Sequence, residues 1–267
     1  MKAREEKTQQ MLMSSQRLIQ KISDEQLRML SRTLKRTSME HLDYHLVEHC
    51  NLNCKCCSTF SPIAEEKFSD PKQFEKDIRR LHDLVGDRVD QIHLLGGEPL
   101  LHPHAEEFAR ICREAFPKAR IDFTTNGLRV FVMSEAFWET LRKYDVAIKY
   151  TKYPIQVDYE KMVAYVQSKG VRVFSAGGEK PIACFRRIPI NPKGTFSAYQ
   201  SYIQCPYMDC TQLRDGKLYR CGASAYSDLV NQALIAEKKE QHGLFKLSSQ
   251  DYLDLFQVSS GEDVMDF

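Results

Sequence analysis

From about residue 42 to residue 175 the chain switches back and forth between a two-residue and a 3.6-residue apolar period, and this alternation restricts the fold more than any other feature. Leu42 to Val47, with Tyr44 and Leu46 on one side, reads as a strand. Asp70-Pro71 opens a helix to about Val85 with Phe74, Ile78, Leu81 and Leu84 or Val85 as its stripe, and Gly86 stops it. Val89 to Leu95 is a strand ending in Gly96-Gly97-Glu98-Pro99. A helix from about His104 to Phe116 leads to a strand from Arg120 to Thr124, closed by Thr125-Asn126-Gly127. Ser134 caps a helix to Tyr144, Val146 to Tyr150 is a strand, Asp158 to Ser168 a helix and Val171 to Phe174 a further strand. Strands joined by helices form a parallel α/β sheet whose chemistry gathers at the carboxyl ends of the strands. Five strands are clear, and a sixth is expected in the stretch 182 to 197 or is missing.

The first strand runs into His49-Cys50-Asn51-Leu52-Asn53-Cys54-Lys55-Cys56-Cys57, four cysteines within eight residues. Cys50, Cys54 and Cys57 are spaced by three and then two residues. Buried cysteine often acts as a small hydrophobe, but Asn51, Asn53, Lys55, Ser58 and Thr59 form no apolar stripe around these thiols. A soft metal explains the run better. Iron–sulfur clusters are held by thiolates from short loops, and three local ligands leave one metal position open to an outside group. A zinc knuckle or plain buried thiols are the competing readings.

The Cys50, Cys54 and Cys57 spacing resembles the CX3CX2C signature of the radical S-adenosylmethionine (SAM) superfamily, and Gly96-Gly97-Glu98-Pro99, beginning 39 residues after Cys57 on the next strand, resembles its second motif. The resemblance covers roughly residues 42 to 225. It implies a partial (β/α)6-type TIM barrel with a 4Fe-4S cluster held by Cys50, Cys54 and Cys57. SAM would chelate the open iron and be cleaved reductively to a 5'-deoxyadenosyl radical that takes a hydrogen atom from the substrate. It further implies that the turn at Gly96, Gly97 and Glu98 binds the methionine amino group and that the Cys56 backbone lies against adenine. Thr124-Thr125-Asn126-Gly127 resembles the third-strand ending of the family, which would put Thr125 and Asn126 near ribose and carboxylate; Asn-Gly is also a common turn pair. Lys149 stands where relatives carry a small hydroxyl residue, and either pairs with the cofactor carboxylate or faces solvent.

A second cysteine group, Cys184, Cys205, Cys210 and Cys221, includes a hairpin signal at Asp215-Gly216 that sets Cys221 on a returning strand. Its spacing resembles the opening of SPASM and twitch auxiliary-cluster domains, which implies a second 4Fe-4S cluster. No cysteine follows Cys221, so Cys184 as fourth ligand, an open site and missing closing cysteines all stand, beside zinc or metal-free thiols. A helix is expected near Gln250 to Phe256. The expected organisation is therefore an N-terminal helical extension over 1–40, a barrel over 41–180 and an auxiliary-cluster region over 181–267.

Composition narrows the partners. Of 267 residues 42% are hydrophobic, enough for a packed core, and 38 basic against 36 acidic residues give a net charge of only +2, which offers no field for nucleic acid. The start, MKAREEKTQQ, has no apolar core of a signal peptide, and no run of about eighteen apolar residues could cross a bilayer, so a cytoplasmic chain with reduced thiols and no membrane partner is expected. The N-terminal segment 8 to 37 reads as basic amphipathic helices. The resemblance implies an oxidoreductase or related radical enzyme supplied with electrons by a flavodoxin or ferredoxin. The substrate expected is a small sugar-like or cyclitol alcohol. A peptide undergoing maturation is the alternative, and a non-catalytic iron–sulfur or zinc scaffold is the reading from another class. His49 is a candidate to tune the cluster, while Tyr150, Tyr153, Arg186 and Arg187 are candidates for a substrate pocket.

Overall fold

The computed structural model describes residues 36–177, 181–182, 191, 193–197, 200–201, 205 and 210–267. The expected N-terminal helices, Cys184, Arg186 and Arg187 lie outside the described residues. The chain divides into two compact units, Met1–Arg36 with Ile190–Met208, and Thr37–Pro189 with Asp209–Phe267. In the first, the described residues include a turn at Asn191, whose carbonyl accepts from Gly194 N–H at 3.0 Å. The second holds the whole sheet.

Its first strand, β1 (Leu42–Val47), is followed by α1 (Pro71–Val85), β2 (Gln91–Gly96), α2 (Ala105–Ala115), β3 (Arg120–Thr125), α3 (Glu135–Lys143), β4 (Ala147–Tyr150), α4 (Tyr159–Ser168) and β5 (Val173–Ser175). Each boundary has a local cause. The Asp70 side chain accepts from Lys72 N–H with Pro71 in the first turn, and the Ser134 and Asp158 side chains accept from Phe137 and Lys161 N–H to start α3 and α4. The stripe Phe74, Ile78 and Leu81 of α1 is fully buried, each such side chain stabilising by about 2 kcal/mol.

After β5 the chain returns as β6 (Thr211–Arg214), β7 (Lys217–Tyr219), α5 (Gly222–Ala225), α6 (Ser227–Ala236), β8 (Tyr252–Asp254) and α7 (Gly261–Asp266). The sheet order is β5-β4-β3-β2-β1-β6-β7-β8, with β1 to β6 parallel and β7 and β8 antiparallel. This is an α/β fold with a mainly parallel, open sheet of eight strands. The stretch 182 to 197, where a sixth strand is expected or missing, lies mostly outside the described residues; the sixth described parallel strand, Thr211–Arg214, pairs beside β1. One expectation is corrected. The helix expected near Gln250 to Phe256 is instead β8 and a turn: Leu253 pairs with Leu218, and the Asp254 carboxylate accepts from Phe256 N–H at 2.9 Å. Asp209–Phe267 falls in the same unit as Thr37–Pro189 and adds β6, β7 and β8 to its sheet.

The in-register parallel strands stack their side chains in layers, as in a barrel interior. Leu42, Tyr44, Ile92, Leu94, Ile121, Phe123 and Ile148 join the helix-side core. On the other face, Asp43 pairs in register with His93 and Gln212, and His93 with Asp122. Thr124 pairs with Lys149 one layer nearer the carboxyl ends. The inner face is thus polar where a closed hydrophobic filling would be the simpler way to build a barrel.

Candidate active site

The cysteine loop leaves the end of β1 and is fastened at once to the end of β2. Gly97 N–H donates to Val47 carbonyl at 2.7 Å, and Glu98 N–H to His49 carbonyl at 3.2 Å. A Cβ on Gly97 would lie 1.9 Å from the His49 oxygen and 2.8 Å from Cys50 N, and one on Gly96 would lie 2.2 Å from the Val47 oxygen. The two glycines therefore admit the cysteine loop's own backbone; this close approach is what their missing side chains permit.

Glu98 is completely buried. One carboxylate oxygen accepts from Leu100 N–H at 3.1 Å and Thr125 Oγ1–H at 2.7 Å, the other from Asn126 N–H at 2.9 Å. Burial pushes its pKa up to about 7 against the pull of these hydrogen bonds. The carboxylate thus ties the end of β2 to the end of β3. Thr125 Oγ1 also accepts from Gly127 N–H at 3.0 Å. Asn126 completes the link: its amide donates to Asn51 Oδ1 at 2.8 Å and stands 3.9 Å from Cys50 Sγ, and its Oδ1 accepts from Leu128 N–H at 3.0 Å. Sequence reasoning missed Asn51 and Tyr159. The Tyr159 hydroxyl accepts from Tyr153 N–H and lies 3.4 and 3.3 Å from the carbonyls of Asn126 and Thr151, stapling the ends of β3 and β4. A tyrosine opening a helix gives no signal of such a role.

The thiols Cys50, Cys54 and Cys57 are half-buried on this loop and Cys56 is exposed. Cys56 has φ of 58°, a left-handed backbone that turns its side chain away from the run of three. Leu52 N–H donates to Cys50 Sγ at 3.4 Å, and Thr59 Oγ1 lies 3.1 Å from Cys57 Sγ. Burial first, then the Glu98, Cys57 and Cys54 charges, raise Cys50 to about 11, with Leu52 N–H opposing, and burial raises Cys54 too. Such thiols need a cation to stay ionised at neutral pH. Among the described residues no three His, Cys, Asp or Glu side chains already converge as a finished metal site. The donor set nevertheless fits an iron–sulfur cluster: three thiols on one loop, with N–H and hydroxyl groups beside two of the sulfurs.

Lys149 is directed inward rather than toward solvent. Its Nζ lies 3.4 Å from His93 Nε2, one layer below Asn126. His49 packs its ring edge-on against Phe68, 4.0 Å from the Glu66 carboxylate. His102 is buried, between Ser69 carbonyl and His104 N–H, so its part is structural.

In the second cysteine group the hairpin stands where Asp215-Gly216 placed it, with φ of 51° and 71° at those two residues, as a two-residue primed turn requires. Its register pairs Gln212 with Tyr219, and carried two residues further it sets Cys210 opposite Cys221. Cys221 itself stands two residues past Tyr219, the end of β7, at the N-cap of α5. Cys205 falls in the other unit and Cys184 outside the described residues.

A parallel α/β sheet carries a three-thiol loop at the end of its first strand, locked by a Gly-Gly-Glu turn, at the strand-end mouth of an open barrel. The sequence profile of the Radical SAM superfamily matches residues 44–161, under half of the chain, and that stretch is similar to a radical SAM domain. Proteins of that superfamily are radical enzymes that use a 4Fe-4S cluster and SAM. GTP 3',8-cyclase of Nautilia profundicola is 25% identical over 89 residues, 33% of this chain and 28% of that protein. GTP 3',8-cyclase of Campylobacter curvus is 23% identical over 133 residues, 50% of this chain and 39% of that protein. Molybdenum cofactor biosynthesis protein 1 of Bos taurus is 30% identical over 90 residues, 34% of this chain and 14% of that protein. The chain thus spans well under half the length of these curated relatives. Among solved structures, BtrN in complex with AdoMet and 2-DOIA has 20% identity and a TM-score of 0.41 over 54% of this chain and 58% of its own. Streptococcus suis SuiB bound to S-adenosylmethionine has 19% identity and a TM-score of 0.41 over 52% of this chain and 34% of its own. No described helix is long and apolar enough to cross a membrane.

Proposed function

We propose that the chain is a radical SAM enzyme that cleaves SAM reductively and oxidises or rearranges a small hydroxylated substrate of sugar or cyclitol type. The observation that carries the reading is the convergence of the Cys50 loop, the Gly97 turn and Asn126 at one set of strand ends above a polar inner face. The bound cluster and cofactor would supply a 5'-deoxyadenosyl radical able to take hydrogen from an unactivated C–H bond. Cys50, Cys54 and Cys57 would hold the cluster, with Leu52 N–H and the Asn126 amide beside Cys50 steadying its charge. Glu98, Thr125 and Asn126 keep the ends of β2 and β3 in fixed relation, so that the turn at Gly96 and Gly97 and the backbone of Cys56 meet the cofactor in one geometry.

A second reading, action on GTP, is favoured by the relatives named GTP 3',8-cyclase. Peptide maturation finds no comparable support. Cys210 opposite Cys221 supports a further metal site in the hairpin; Cys184 and Cys205 are assigned to a second cluster by sequence alone. A flavodoxin or ferredoxin is the proposed electron source.

Anaerobic reconstitution followed by reduction with dithionite tests the reading. The protein is expected to convert SAM to 5'-deoxyadenosine, and Cys54→Ala to abolish this. No 5'-deoxyadenosine from the reconstituted chain, with iron content indifferent to Cys54→Ala, would leave a non-catalytic scaffold.

A further inference from the structure

Beneath the mouth the inner face carries a chain of polar groups that neither the cluster nor the cofactor accounts for. Asp122 is buried and accepts from His93 Nδ1 at 2.9 Å, Gln91 at 2.9 Å and Thr124 at 3.1 Å. Burial alone would raise its pKa, but the His93 hydrogen bond and charge, Gln91 and the Lys149 charge together hold it below the ordinary carboxylate range. Asp122, as an acceptor, takes the His93 Nδ1 proton in its hydrogen bond and so turns Nε2 toward the next group. Lys149 Nζ is the group that meets it, at 3.4 Å. Asp43, whose carboxyl burial raises, and His41, whose ring stacks on His93 at 5.4 Å, face the same cluster, and Gln212 donates to Asp43 at 2.7 Å. Lys149 is half-buried, and its ammonium has donors beyond the contact with His93.

We infer that Lys149 is a catalytic residue that binds a substrate hydroxyl inside the barrel and accepts its proton, with His93 and Asp122 as positioning residues that share that proton. The inference rests on the radical SAM reading and deepens it. One proton moves between Lys149 Nζ and His93 Nε2, the imidazolium form being stabilised by Asp122. With the amine neutral, the substrate O–H bond breaks and an Nζ–H bond forms. No electron is transferred in this step. Asp122 holds the imidazolium that takes the lysine proton, and His93 fixes where the lysine points.

Two measurements judge this. In the folded chain labelled with 15N-histidine, His93 is expected to carry its proton on Nδ1; Lys149→Met shifts its Nε2 resonance and Asp122→Asn moves the proton toward Nε2. An Nε2–H tautomer in the unsubstituted protein, or a His93 signal indifferent to Lys149→Met, overturns the relay. This test needs no cofactor and stands even if no SAM cleavage is found, in which case the function proposed above fails by itself. In the reconstituted enzyme, myo-inositol or glucosamine is expected to stimulate 5'-deoxyadenosine formation, with at least a tenfold loss of stimulation in Lys149→Met and a shifted pH profile in Asp122→Asn. Equal stimulation in Lys149→Met, or SAM cleavage that GTP stimulates and neither polyol does, overturns the assignment. Should Asp122→Asn fail to fold, the half-buried Lys149→Met variant carries both tests.

Discussion

Glu98 shows what a single side chain adds once its partners are visible. The motif marked it as a residue near the cofactor, yet its carboxylate is engaged by Leu100, Thr125 and Asn126 and orders the mouth from beneath. The sequence marks the residue but not its partners, because the donors come from a strand about thirty residues away and from backbone groups that all sequences share. His45 is a second residue of this kind. It is buried on β1, stacked on Tyr226 at 4.0 Å, and neither ring nitrogen has a hydrogen-bond partner. Burial, then the Arg214 charge, lowers its pKa from 6.5 to about 3. The unfolded chain binds this proton below pH 6.5 and the folded chain does not until about 3, so stability must fall as pH drops through that window. Per pH unit the fall approaches about 1.4 kcal/mol. Glu98 acts in the opposite sense between 4.5 and about 7, so the informative quantity is a difference. His45→Phe is expected to flatten the slope of unfolding free energy against pH between 6 and 4, measured by urea denaturation at each pH (~1 kcal/mol per unit); an unchanged slope refutes the assignment.

Among the elements, the turn after β2 and the cysteine loop behave as one piece. Their backbones touch at Gly97, where a methyl group would collide with the His49 carbonyl. Gly97→Ala should therefore cost about 1–3 kcal/mol in denaturant stability and also weaken iron retention, measured as iron per chain after desalting. A variant with intact iron and wild-type stability would show that the two segments are independent. The parallel strands and the capped helices were legible because Asp70-Pro71, Ser134 and Asp158 are local signals and the apolar periods are long. β8 was not, since a three-residue strand carries too short a pattern, and the placing of β6 beside β1 is a long-range choice that no local residue announces.

At the scale of the whole molecule, the eight-stranded sheet joins the hairpin of Cys210 and Cys221 to the barrel strands. The cysteine spacings set out two thiol groups; the antiparallel pairing of Gln212 with Tyr219 puts Cys210 and Cys221 at the same open end of the hairpin. Anaerobic reconstitution should yield about eight irons per chain if the second group also holds a 4Fe-4S cluster and about four if it does not. Zinc in the place of the second four would remove the auxiliary cluster and leave the first untouched. In the double variant Cys210→Ala, Cys221→Ala, the count is expected to fall by half.

β1 lies in the middle of the sheet, with β2 on one side and β6 on the other, while β5 and β8 form the outer edges among the described residues. Amide protons on β1 between Leu42 and Val47 should accordingly be among the last to exchange with deuterated solvent, later than those of β5 and β8. The loop that carries Cys50 thus springs from ground that opens only when most of the molecule does. Loss of metal and loss of fold are then separate events: the thiols can let go of their ion while the strand beneath them stays closed, ready to be loaded again.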